Sequence, residues 1–177
     1  MRYLPLLAVL LLPLPAFAIN VCTDAAGKVS YQDDPCPELP SNKAIQPVRA
    51  SKLTPRVVQD TISRYSQALQ ARDYAAARRF HSSQLVVEIT NKKGTARYDG
   101  RTFGEMTRRV LQAAQRYQVS TRCDTPKIEA DRAMVTCQVN EQMVLNNKPM
   151  GGTSTEQYVF VLEDGQARYL SVAAKTD

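Results

Sequence analysis

One histidine, His81, stands among 177 residues. That count excludes a histidine-rich metal centre. The four cysteines include no C-x-x-C pair, so a zinc knuckle has no ligand set either. G-x-x-x-x-G-K-[ST], G-x-G-x-x-G and H-E-x-x-H are all absent, which removes the phosphate-cradling and zincin readings. The sequence implies no metal and no cofactor. After the first 18 residues no apolar run is long enough to cross a bilayer, so the chain does not read as an integral membrane protein. Stacking groups interleaved with basic residues are missing as well, as is a groove-reading helix, and nucleic-acid binding goes with them.

What is present begins with a leader. "MRYLPLLAVLLLPLPAFA" places Arg2 before an apolar stretch from Leu4 to Leu14, and Ala16-Phe17-Ala18 supplies the small residues a signal peptidase accepts. Residues 1–18 therefore read as a signal peptide cleaved near Ala18. The stretch is too short for a membrane anchor and carries Pro5, Pro13 and Pro15. All four cysteines lie behind it. In an exported chain an even count points to disulfides before metal. At 44% hydrophobic residues the chain can build a core, and its net charge of +6 falls by only one if Arg2 leaves with the leader. A basic exported surface suits an anionic envelope polymer or an acidic partner, although a merely soluble basic surface explains it too.

Residues 38–53, with Pro40 and Pro47 and no clear period, read as a linker. The main domain, 54–177, opens with Thr54 as a helix cap and Pro55 at the first helical position. Val58, Ile62, Tyr65 and Leu69 then mark one apolar face. Asp73 caps a second helix expected over Tyr74–His81. "QLVVEIT", 84–90, alternates as a strand and "NKKG" follows as a turn. Thr102 and Glu105 have the spacing of a capping box, and Phe103, Met106, Val110, Ala114 and Tyr117 continue as a third amphipathic helix. Four strand-like runs follow, about 118–124, 133–145, 155–163 and 167–174. Turn signals at "EADR", "NNKPMGG" and "EDGQ" divide them. Helices and then antiparallel strands make an α+β pattern, with three N-terminal helices on a curved antiparallel sheet.

The strand 133–145 carries Val135, Cys137, Val139, Glu141 and Met143 on one side and mostly polar residues on the other. A hairpin turning about Ala130 sets Cys123 directly opposite Cys137, close enough for a cross-strand disulfide. A second hairpin centred between Pro149 and Met150 sets Tyr158 opposite Glu141 and Phe160 opposite Val139. A carboxylate buried beside a phenol would have an altered pKa and could act as a general base. A bulge or a solvated strand end would instead turn Glu141 outward. Tyr65, Tyr117, Tyr158 and Tyr169 suit a pocket wall, or plain core. His81, beside Arg78 and Arg79, reads as a surface cap on a helix C-terminus. Arg108 and Arg116 share a helix face that suits an anion or simply solvent.

The order of elements and the stretch "YSQALQARDYAAARRFHSSQLVVEI" resemble the opening of the nuclear transport factor 2-like superfamily. The resemblance covers roughly 54–177 and implies a cone with a hollow between sheet and helices. Such hollows serve isomerases, cyclases and dehydratases, and also many non-catalytic binding or dimerisation modules. "VCTDAAGKVSYQDDPCP" resembles the module called domain of unknown function 4124, found in exported bacterial proteins. Cys22, Asp24, Gly27, Tyr31, Asp33 and Pro35 fall on its pattern, and Val21 stands where an aromatic is common. The resemblance makes 19–37 a β-hairpin turning at Ala26-Gly27 and closed by Cys22–Cys36. That bridge spans about 15 residues and would contribute roughly 3 kcal/mol to a piece too small to fold without it.

Together these readings describe an exported bacterial envelope protein, periplasmic or secreted, that binds without catalysis. Its partner would be a protein, a small apolar ligand, an anionic envelope polymer, or a second copy of the chain through the sheet. The alternative is an isomerase- or dehydratase-like enzyme using Glu141 and Tyr158. The exported protein is expected to begin at Ile19. N-terminal sequencing of the envelope fraction checks this, and an intact Met1 there would refute cleavage.

Overall fold

The computed structural model describes residues 20–23, 29–32 and 45–176. Residues 1–18, read from the sequence as a signal peptide, and Cys36 with its expected bridge to Cys22 lie outside the described residues. The chain divides into two compact units, Met1–Lys43 and Ala44–Asp177. In the first, strand β1 (Asn20–Thr23) pairs antiparallel with β2 (Val29–Gln32), and Cys22 lies opposite Ser30. Val29 and Tyr31 are on the return strand, where the sequence places them.

The second unit holds three helices and a seven-stranded sheet. It begins within the stretch read as a linker. Ile45 and Leu53 are buried in its core, and the Ala50 amide donates to the Gly165 carbonyl at 3.0 Å. Residues 45–53 are thus held to the main body by apolar burial and backbone pairing. Helix α1 (Pro55–Gln70) starts as its sequence demands: Thr54 accepts from the Val57 amide at 3.2 Å, with Pro55 just inside. Its inner face buries Val58, Ile62, Ala68 and Leu69. Asp73 caps α2 (Tyr74–Arg78) by accepting from the Ala76 amide. This helix stops short of His81, which opens strand β3 (His81–Asn91).

Strand β4 (Gly94–Asp99) returns from β3 across Asn91 and Gly94. It is almost wholly exposed and carries little apolar sequence, which is why only its turn was legible. Helix α3 (Gly100–Ala113) begins before the expected capping box. The carboxylate of Asp99 accepts from the Thr102 amide at 2.7 Å, so Asp99 takes the capping role. Glu105 instead pairs with Arg108 at 2.8 Å. The helix also ends earlier than its apolar spacing suggests. Tyr117 belongs to strand β5 (Ala114–Cys123), opposite Met143.

Strands β6 (Lys127–Glu129), β7 (Arg132–Leu145), β8 (Lys148–Glu163) and β9 (Gln166–Thr176) complete the sheet, in the order β4-β3-β9-β8-β7-β5 with β6 also on β7. The sheet is mixed, not antiparallel throughout. β3 runs parallel to β9, Val87 opposite Val172 and Ile89 opposite Ala174. The reason is connectivity: β3 and β9 are far apart in the chain and meet side by side, not through a hairpin.

Cys123 and Cys137 are directly opposed and bonded, with Cα atoms 4.0 Å apart. The bridge closes a loop of sequence separation 14. A Cys123→Ser/Cys137→Ser double variant is expected to lose roughly 3 kcal/mol of unfolding free energy. Urea titration without reductant measures it. A change near zero would mean that β7 holds β5 and β6 without the staple.

Candidate functional site

The hydrophobic alternation of β7 and β8 decides what faces the helices. Val135, Cys137 and Val139 are buried on one side of β7, and Tyr158 and Phe160 on the same side of β8. Glu141 continues the first row and Glu156 the second. The β7–β8 turn falls at Asn146-Asn147, not at Pro149-Met150, and both asparagines have positive φ, 50° and 62°. Two-residue hairpin turns favour Asn there because its short polar side chain tolerates left-handed backbone. The register therefore differs from expectation. Glu141 is opposite Gly152, Tyr158 opposite Val135, and Phe160 opposite Ala133. Tyr158 is not the cross-strand partner of Glu141.

Between this face and helices α1 and α3 lies a cavity of about 290 Å³. It sits near the small end of the usual range for small-molecule pockets. Ile62 and Leu69 of α1, Phe103 and Val110 of α3, and Leu85 and Val87 of β3 supply apolar wall. Tyr65, Tyr117, Glu141, Tyr158 and Tyr169 all line it, so the five candidate pocket residues share one hollow. Two residues join them that sequence reasoning passed over or placed elsewhere, Glu156 and His81.

The polar groups meet in pairs. The Tyr117 hydroxyl donates to Glu141 Oε1 at 2.5 Å. Ser154 Oγ donates to Glu156 Oε1 at 2.7 Å, and the Tyr158 phenol stands near enough to Glu156 to influence its charge. The Tyr65 hydroxyl lies 3.2 Å from His81 Nε2. Burial pushes the Tyr117 and Tyr158 phenols well above the usual tyrosine range, and the facing carboxylates push them further. Both hydroxyls therefore keep their protons and remain donors. Burial raises the Glu156 carboxyl above the ordinary range, and the Glu141 charge adds to this. The bond from Ser154 and the nearby Tyr158 phenol oppose it.

His81 is a correction. It is not a surface cap at a helix end but the first residue of β3, half-buried, with its ring 5.6 Å from the Tyr65 ring and 5.9 Å from that of Phe103. Burial, and secondarily Arg78, lowers its pKa from 6.5 to about 4. It is neutral at pH 7. Glu156 was within reach of the sequence: it stands two residues before Tyr158 and so shares its face. No comparable pattern announces His81. Arg108, the other basic candidate, is tied to Glu105 and Gln112, and Arg116 borders a separate groove beyond Glu141.

A mixed sheet wrapped by three helices around a hollow is the layout of nuclear transport factor 2-like proteins, and solved structures of that class superimpose on it. A nuclear transport factor 2-like superfamily protein from Salmonella enterica aligns with a TM-score of 0.57 at 12% identity, covering 69% of this chain and 89% of that one. A ketosteroid isomerase-like protein from Erwinia carotovora gives 0.56 at 12%, covering 68% and 94%. The Kfla4162 protein of Kribbella flavida gives 0.60 at 15%, covering 68% and 88%. Likeness at these identities shows the fold. More particularly, residues 6–61 match the family described as Domain of unknown function (DUF4124). No curated protein matches the sequence.

The neutral buried imidazole has a consequence for stability. The unfolded chain takes up a proton on His81 near pH 6.5, while the native chain resists until about pH 4. The contribution is intact above pH 6.5 and is lost as the pH falls through this window. Relative to His81→Gln, the wild type should lose up to roughly 3 kcal/mol between pH 7 and pH 4. Parallel urea titrations at the two pH values give the difference. Parallel curves for the two proteins would place the imidazole in solvent.

Proposed function

We propose that this chain is an exported bacterial envelope protein whose cone domain holds a small, largely apolar ligand without transforming it. Its N-terminal hairpin is then a separate module closed by Cys22–Cys36. The observation that carries the reading is the hollow itself: apolar on the α1, α3 and β3 sides, with its few polar groups oriented by one another. Sites of that make-up take small molecules by burial and orient them with a few fixed polar contacts. The match of residues 6–61 to the module resembling that of exported proteins supports the location. A ligand is favoured over a sheet-mediated dimer because the large exposed apolar side chains among the described residues, Met106, Ile128 and Met150, sit on three different elements.

The second reading is an isomerase- or dehydratase-like enzyme. Glu156 favours it, because a carboxyl with a raised pKa next to a protonated phenol suits proton transfer. The carboxylate–tyrosine pair in that reading is Glu156 with Tyr158, not Glu141 with Tyr158.

Ala174 is small and faces the cavity. In backbone NMR spectra of the exported chain, 1-naphthalenemethanol and its charged analogues supply the probes. At least one should shift amides of α1, α3, β7 and β8 with saturable behaviour. Ala174→Trp, which fills the hollow, should remove those shifts while leaving the fold intact. Shifts scattered over the surface, or unaltered by Ala174→Trp, would refute the cavity as the binding site.

A further inference from the structure

We propose that the ligand of the hollow carries a positive charge: a small organic cation with an apolar body, such as a primary amine on an aromatic ring. The inference rests on the binding reading above and specifies its chemistry. Glu141 and Glu156 enter the same cavity from neighbouring strands, β7 and β8. No lysine or arginine lines that cavity among the described residues, although the chain as a whole is basic, at +6. The two carboxylates thus face a space with no opposing charge from the protein. His81 supplies none, since it is neutral at pH 7.

The remaining polar groups fit the same ligand. Tyr117 donates to Glu141, and Ser154 to Glu156, which leaves each carboxylate further acceptor positions for an ammonium. Tyr65, Phe103 and Tyr158 offer ring surface around the space, and aromatic faces attract cations through their quadrupole. An anion would meet two carboxylates in a site of reduced dielectric, and a neutral ligand would leave them uncompensated. Glu141 borders both the inner cavity and the outer groove that contains Met150 and Gly152. Arg116 lies on the groove side and not in the cavity, and Glu156 lies along the same inner face, next in line to the buried Tyr158.

Three isosteric probes test the idea at pH 7 on the exported chain: 1-naphthylmethylammonium, 1-naphthalenemethanol and 1-naphthoate. The ammonium is expected to bind the cavity about tenfold or more tighter than the alcohol, and the carboxylate weakest. In Glu141→Gln/Glu156→Gln the ratio of ammonium to alcohol affinity should fall toward one. The ranking in the wild type stands even if that double variant does not fold. Cavity binding by the alcohol or the carboxylate that equals or exceeds the ammonium would overturn the cation inference alone. Absence of cavity binding by all three would overturn the binding reading on which it rests.

Discussion

The pairing of β7 with β8 governs the hollow, because it decides which side chains share the helix-covered face. A one-residue slip would carry every side chain of one strand to the other side. Asn146 and Asn147 resist that slip by holding the left-handed angles of a tight hairpin. Gly151 adds a steric constraint: a Cβ there would collide with the backbone carbonyl oxygen of Glu141. Gly152, by contrast, faces open space opposite Glu141. The result is a row in which Phe160, Tyr158 and Glu156 on β8 run beside Ala133, Val135 and Cys137 on β7. Apolar and aromatic side chains occupy one end, and carboxylates the other.

The charges inside that row are held by neutral donors, not by cations. Carboxylates accepting from hydroxyls keep their orientation, and the buried phenols cannot give up their protons to them. The arrangement separates two electrostatic worlds. Exposed arginines give the chain its basic surface, while the interior wall is acidic. Net charge, the quantity most easily read from composition, therefore has the opposite sign to the site.

The sequence carried the starts of α1 and α2 and the inward faces of β7 and β8 well, because caps and alternation are local. Thr54, Pro55 and Asp73 act where their chemistry predicts. Cys123 opposite Cys137 followed from parity about a turn. Parity also explains an instructive error. The expected β7–β8 turn lay farther along the chain, which changed the partner of Glu141 from Tyr158 to Gly152 but shifted it by an even number of residues. Both residues still point inward, with different neighbours. Other misses have tertiary causes. β4 is an exposed edge strand with little apolar signal, and β3 meets β9 in parallel across a long stretch of intervening chain, which no local pattern announces. His81 is drawn inward by the aromatic cluster, which no pattern near residue 81 encodes.

That cluster also explains why the hollow occupies only part of the space under the helices. Phe160 and Tyr169 pack with centroids 4.4 Å apart, Tyr65 and Tyr169 at 4.9 Å, and Tyr158 meets Tyr169 edge-on at 5.2 Å. These rings fill one end solidly. A dry apolar void of the remaining size would cost on the order of 7 kcal/mol, comparable with the whole stability of a domain. Such a void would be removed by collapse of α1 and α3 onto the sheet. Glu141 and Glu156 oppose that collapse, since it would take two carboxyl groups further from solvent. Polar groups at one end and packed rings at the other thus frame the space between them.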